Sequence, residues 1–208
     1  MMTISNGVPT LWFSLPQGKL RRVNAELEGY SDQLLSVRQD ASGLMSALSD
    51  AQFNWRPEPG RWSMAGCFDH LNKSAAQVFI PKIDKAIATA RAQGLTGDGP
   101  IVYSAFERWA IRNNDAPARM KFKASKSTQP APQLSLDQVR AEFVRWQDEL
   151  ARRLREANGL DLQRAKEPFP FWPLKWSLGS FIQMMIAHER RHVYQARLVR
   201  QSAAFPQT

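Results

Sequence analysis

The stretch VNAELEGYSDQLLSVRQDASGLMSAL, residues 23–48, sets apolar side chains at Val23, Leu27, Tyr30, Leu34, Val37, Ala41, Leu44 and Leu48. Steps of four and three alternate along it. That is the repeat of one face of a long amphipathic helix, not of a strand, whose period is two. Gly29 and Gly43 each weaken the helix without breaking the stripe. A stripe this long must be buried against other elements with similar faces, and the rest of the chain supplies them.

Downstream, Phe53 to Arg61 carries Pro57, Pro59 and Gly60 and reads as a connecting loop. Ser63 then offers an N-cap for a second helix through Met64, Cys67, Leu71, Ala75 and Val78 to about Arg91. Pro81 removes a backbone donor inside it and predicts a kink. Residues 94–134 are the least regular part, with Gly94, Gly97, Gly99 and Pro100 at one end and Pro130 and Pro132 at the other. Between them Tyr103, Phe106, Trp109 and Ala110 mark a short helix lying on the larger ones. So long a connection inside one domain needs a reason, and a crossover that lets its two flanking helices run parallel supplies one.

The third long helix opens at Ser135-Leu136-Asp137-Gln138, which fits a capping box. It buries Leu136, Val139, Phe143, Trp146, Leu150 and Leu154, and Gly159 ends it. A loop with Pro168, Pro170 and Pro173 leads to the fourth, capped by Ser177 and striped by Leu178, Phe181, Met185, His188, His192 and Val199. No useful strand pattern and no internal repeat is found. The expectation is an all-α fold: a four-helix bundle with a long crossover between helices 2 and 3. It spans residues 20–204, after an irregular extension at 1–19.

Composition narrows the partners. At 208 residues, with 43% hydrophobic and 23% charged, the chain can bury one sizeable core, which argues against disorder throughout. Cys67 stands alone and cannot form an internal disulfide. Pro9, Pro16, Gly7 and Gly18 interrupt the first twenty residues, which lack the apolar run of a signal peptide. No other segment approaches the ~18 consecutive apolar residues of a membrane span. A cytoplasmic protein without a membrane partner is expected. The net charge of +9 would attract anions. It is scattered, however, over Arg21 and Arg22, Arg119 to Lys126, Arg152 to Arg155 and Arg190 to Arg200, as on a solvated basic surface rather than a face for specific nucleic acid.

The fourth helix contains His188-Glu189-Arg190-Arg191-His192. A spacing of four stacks the two imidazoles on one helix face, where both reach the same ion. The chain's remaining histidine, His70, lies on the second helix beside its apolar stripe. Packed helices run about 8–10 Å apart, so His70 can meet the pair across the core. A hydrogen-bonded core residue is the plain alternative for His70 alone. The convergence of every histidine in the chain points instead to a divalent metal ion. Three protein nitrogens leave such an ion an open position, where it can lower the pKa of a bound water or thiol.

With Trp62-Ser63, then His70, then His188-x-x-x-His192 followed by Gln195, the sequence is similar to the DinB/YfiT-like superfamily of metalloenzymes, most of all its DinB-2 type. The motifs cover both ends of the domain, and the third helix matches by pattern only. The resemblance implies a four-helix bundle with His70, His188 and His192 as ligands of zinc, nickel or a similar ion. It also implies a candidate activity, metal-dependent transfer through a low-molecular-weight thiol such as mycothiol or bacillithiol onto a small-molecule substrate, and a possible homodimer.

Around these ligands, Arg61, Arg191 and Arg112 are candidates to hold carboxylates of the thiol or substrate. Glu189 is a candidate base, since His188-Glu189-x-x-His192 also fits the pattern of zinc proteases. No His, Asp or Glu follows His192, so the third ligand such proteases place after the motif is missing. A metal-dependent hydrolase with Glu189 as base is thus one alternative, and a non-catalytic basic binding module another. Cys67, one turn before His70, reads as packing. The tryptophans and Met184-Met185 read as core and loop anchors.

Overall fold

Asn24 starts the first helix with its own side chain, which accepts the Glu26 N–H at 2.8 Å. The computed structural model describes residues 23–117, 120, 123–168 and 175–207. The expected extension at 1–19 lies outside the described residues, as do Arg21, Arg22, Arg119, Pro170 and Pro173. Helix α1 (Ala25–Leu44) buries Leu27, Tyr30, Leu34, Val37 and Ala41, the stripe its period predicts. It stops at Leu44, before Leu48. Met45 enters the core, and a short α2 (Asp50–Asn54), capped reciprocally by Ser49 and Gln52, takes the first part of the expected loop.

Ser63 caps α3 (Met64–Ser74), its hydroxyl accepting the Gly66 N–H at 3.0 Å. The kink expected at Pro81 appears as a π-helical turn, Ala75–Phe79, that runs directly into α4 (Ile80–Ala92). Proline cannot donate to the carbonyl four residues back, and its ring crowds that group. Widening the preceding turn relieves both problems and keeps the helical rod unbroken.

Within the crossover, α5 (Ala105–Asn114) is capped by Ser104 and Glu107 and buries Ala110 beside Trp176 and Met184. The short helix expected here is thus present, and Phe106 and Trp109 stack on each other at 5.8 Å and stay largely exposed. A 3-10 turn at Lys126–Thr128 follows. The start of α6 (Leu136–Glu156) departs from expectation, because the Ser135 side chain makes no capping bond. The Leu136 N–H donates instead to the Asp50 carboxylate at 2.8 Å, so a residue of α2 caps α6 from across the chain. On α6, Trp146 lies at the edge with the Arg145 guanidinium 4.2 Å over its ring, and Gln147 and Arg153 are buried in its stead. Arg153 donates to both oxygens of Asp84 on α4 at 2.9 and 3.0 Å.

Where a loop was expected, β1 (Lys166–Pro168) and β2 (Lys175–Ser177) form a short antiparallel ribbon. Ser177 then caps α7 (Leu178–Arg200). Ile101 of the crossover presses on the first turn of α7, and a Cβ on Gly179 would fall 2.4 Å from its Cδ1. Both α1 and α3 pack against α6 and α7, while α4 packs on α6. The fold is all-α apart from the ribbon. Two apolar clusters fill the interior, one around Tyr30, Ile83, Leu150 and Phe181, the other around Val37, Phe68, Phe143 and Val193. His188 and His192 fall on α7 between the stretches that serve these clusters. Among the described residues no helix is long and apolar enough to cross a membrane.

Candidate metal centre

The cap at Ser63 sets the phase of α3 so that His70 is buried with Phe68 and Leu71, facing α7. On α7 the four-residue spacing aligns His188 and His192 toward α3. One ligand nitrogen from each of the three rings lies within 4.8 Å of the others, and among the described residues this is the one such group of three or more His, Cys, Asp or Glu. His70 Nε2 is 3.1 Å from His188 Nε2. Two nitrogens bound tetrahedrally to zinc at about 2.0–2.1 Å sit about 3.3 Å apart, so the pair already has the spacing of donors that share an ion.

The protonation pattern fits a cation as well. His70 Nδ1 lies 2.7 Å from the buried Thr128 carbonyl, which can only accept. Nδ1 therefore carries the hydrogen and Nε2 keeps its lone pair for the centre. Burial holds the pKa of His70 below its ordinary value, and holds His188 and His192 well below. The neighbouring histidines and Arg191 push His188 and His192 further in the same direction. All three rings are thus neutral at physiological pH, the state a metal requires. Among the described residues Nδ1 of His188 is buried without a hydrogen-bond partner, while its Nε2 faces the centre.

Aromatic walls enclose the rings. Trp62 stacks on His192 at 5.6 Å and lies 4.9 Å from His70. Phe79 meets His188 edge-on at 5.3 Å. Phe79 belongs to the π turn, so the adjustment forced by Pro81 also shapes the site.

The crossover is fastened above His70 by two side chains of α3. Asp69 accepts from the Ala131 N–H at 2.9 Å and from Lys73 Nζ at 2.8 Å, and Lys73 donates to the Gln129 carbonyl at 2.9 Å. Asp69→Ala is expected to free residues 129–131 and loosen the Thr128 contact, lowering metal affinity about tenfold, the scale of indirect ligand support, with helix content unchanged. Competition against a chromophoric chelator measures this. Undiminished affinity would mean that Thr128 is held by other means.

The remaining candidates are dispersed. Arg191 is buried, and donates to the Asn113 carbonyl at 3.2 Å and to the Met120 carbonyl. Its charge acts on all three histidines. Arg61 is exposed beside Trp62, and Arg112 is exposed on α5. Glu189 is buried with both oxygens accepting from Gln147 Nε2, at 3.0 and 2.8 Å, and stands outside the three-nitrogen group. Burial pushes its carboxyl up to about 7. Cys67 also stands outside, its thiol pushed up to about 12 by burial, as a packing residue should be. Sequence reasoning missed Thr128, Phe79 and Gln147. Only the proline two residues after Phe79 hinted at any of them.

No curated protein and no solved structure matches the chain. The family model of the DinB superfamily matches residues 33–196, which include all three histidines, and the chain belongs to that superfamily.

Proposed function

We propose that this protein is a metal-dependent transferase acting through a low-molecular-weight thiol, built on a bundle whose four rods are α1, the continuous α3–α4 segment, α6 and α7. The observation that carries the reading is the convergence of three neutral imidazoles from two helices, with the lone pair of His70 fixed by Thr128. Zinc or nickel held by His70, His188 and His192 would supply Lewis acidity at an open position, easing ionisation of a thiol near neutral pH.

The chain's own groups provide the setting. Trp62 and Phe79 form apolar walls that exclude water beside the rings. Arg191 adds a fixed positive charge that favours the anionic form of an incoming thiol. Arg61, exposed and next in sequence to Trp62, would take a carboxylate of the thiol or substrate with its guanidinium fork. The thiol sulfur would then form the new bond to an electrophilic carbon as the leaving group departs, with its proton lost to solvent.

A hydrolytic reading gives Glu189 the role of base, and a carboxyl near 7 has suitable proton affinity. Its oxygens, however, are engaged by Gln147 of α6, which favours the thiol reading. For a nucleic-acid module part of the basic surface is already neutralised, since Arg38, Arg140, Arg152 and Arg197 pair with carboxylates. The test is turnover of zinc- or nickel-loaded protein with a panel of bacterial thiols against epoxide, alkyl halide and enone electrophiles. Metal-dependent thiol consumption above the His192→Ala background is expected. Stoichiometric metal binding without turnover in any combination would overturn the reading.

A further inference from the structure

Away from the histidines, a depression of about 440 Å³, largely open to solvent, lies between α5 and α7. Gln183 and Arg190 line it from α7. Seven residues apart, they share a helix face, and at 100° per residue that face is turned ~180° from His188 and His192. Arg108, Ile111 and Arg112 line it from α5, and Asp115 and Ala116 from the segment that follows.

The charges here are unequal in status. Arg190 is locked in place, its Nε and Nη2 donating to the two oxygens of Asp115 at 2.9 and 2.6 Å, and its Nη1 to Gln33 of α1 at 2.6 Å. That pair neutralises itself. Arg108 and Arg112 are exposed and, like several other surface arginines, are not paired with a carboxylate among the described residues; Arg108 Nη1 donates to the carbonyl of Tyr103, which lines the same depression. Four residues apart on one helix, the two guanidinium groups repel each other and work against α5. The arrangement leaves two positive groups lining a depression whose wall includes Ile111 and Ala116.

We propose that this depression is a binding site for a small organic anion, separate from the metal centre. The anion's carboxylate or phosphate is held by Arg108 and Arg112, and its apolar part rests on Ile111 and Ala116. Guanidinium forks match both anionic groups in geometry, and neutralising the two removes the repulsion along α5.

The test is calorimetric titration of the full chain with inorganic phosphate, succinate and benzoate, each at matched ionic strength. At least one probe should bind saturably. Phosphate as the tighter ligand would identify a phosphorylated compound, and benzoate or succinate a carboxylate. The Arg108→Gln/Arg112→Gln variant should bind at least tenfold more weakly while its melting temperature stays within the spread of the exposed control Arg140→Gln. His192→Ala should bind the anion as the parent does. Absence of saturable binding by all three probes would overturn the proposal. So would equal binding by the double variant, or loss of binding in His192→Ala, which would place the anion on the metal centre instead.

Discussion

His192→Ala is expected to lower zinc or nickel affinity at least a hundredfold. Structural zinc sites with four protein ligands contribute about 10–16 kcal/mol in all, so one ligand is worth roughly 3 kcal/mol. At this centre the loss falls on a set of only three. The same substitution has an opposite effect on the metal-free protein in acid. The pKa of His192 is held well below its ordinary value by burial and by its neighbours, so the folded chain refuses a proton that the unfolded chain accepts below about 6.5. The unfolded state then binds more protons, and stability present above that pH is lost as pH falls. Removing the ring removes its share of that loss. His192→Ala should therefore bind little metal and yet lose less of its melting temperature between pH 7 and pH 5 than the parent does in chelator. Calorimetric titration and thermal melts measure the two effects, and undiminished metal binding would remove His192 from the ligand set.

The parts of this arrangement that sequence made legible are those that local spacing encodes. The stripe from Leu27 to Ala41 gave α1, the hydroxyls of Ser63 and Ser177 gave the starts of α3 and α7, and those starts fixed where each histidine faces. The metal group was legible for a simpler reason, since three histidines at core-facing positions of two helices have few other destinations. What stayed hidden depends on contacts between distant segments. Thr128 lies 58 residues from His70, in a stretch without periodicity, and acts through a backbone carbonyl that any residue type would offer. Asp50 caps α6 across 86 residues, displacing a local Ser135 cap that looked sufficient. Trp146 and Gln147 exchange places because hydrophobicity favoured the tryptophan, while the buried partner for Gln147 lies on α7.

That last pair leads to the other large effect, a pH-dependent gain in stability on Glu189→Gln. Gln147 gives both its Nε2 contacts to the Glu189 carboxylate, while its own Oε1 is buried with no partner among the described residues. Despite the Gln147 contacts, the ionised carboxylate must bear the loss of water, which raises its pKa to about 7. Between the ordinary carboxylate value and about 7 the folded chain therefore holds a proton that the unfolded chain has released. Stability falls as pH rises through this window, by about 3 kcal/mol once both states are ionised. Glutamine at this position is uncharged like the protonated form at every pH and keeps a carbonyl to accept from Gln147 Nε2. In chelator, Glu189→Gln should melt near the parent at pH 5 and several degrees above it at pH 8.5, with the difference growing through neutrality. A variant no more stable than the parent at pH 8.5 would mean that the ionised carboxylate is supported by groups beyond Gln147, and would turn attention back to Glu189 as a working part of the metal centre.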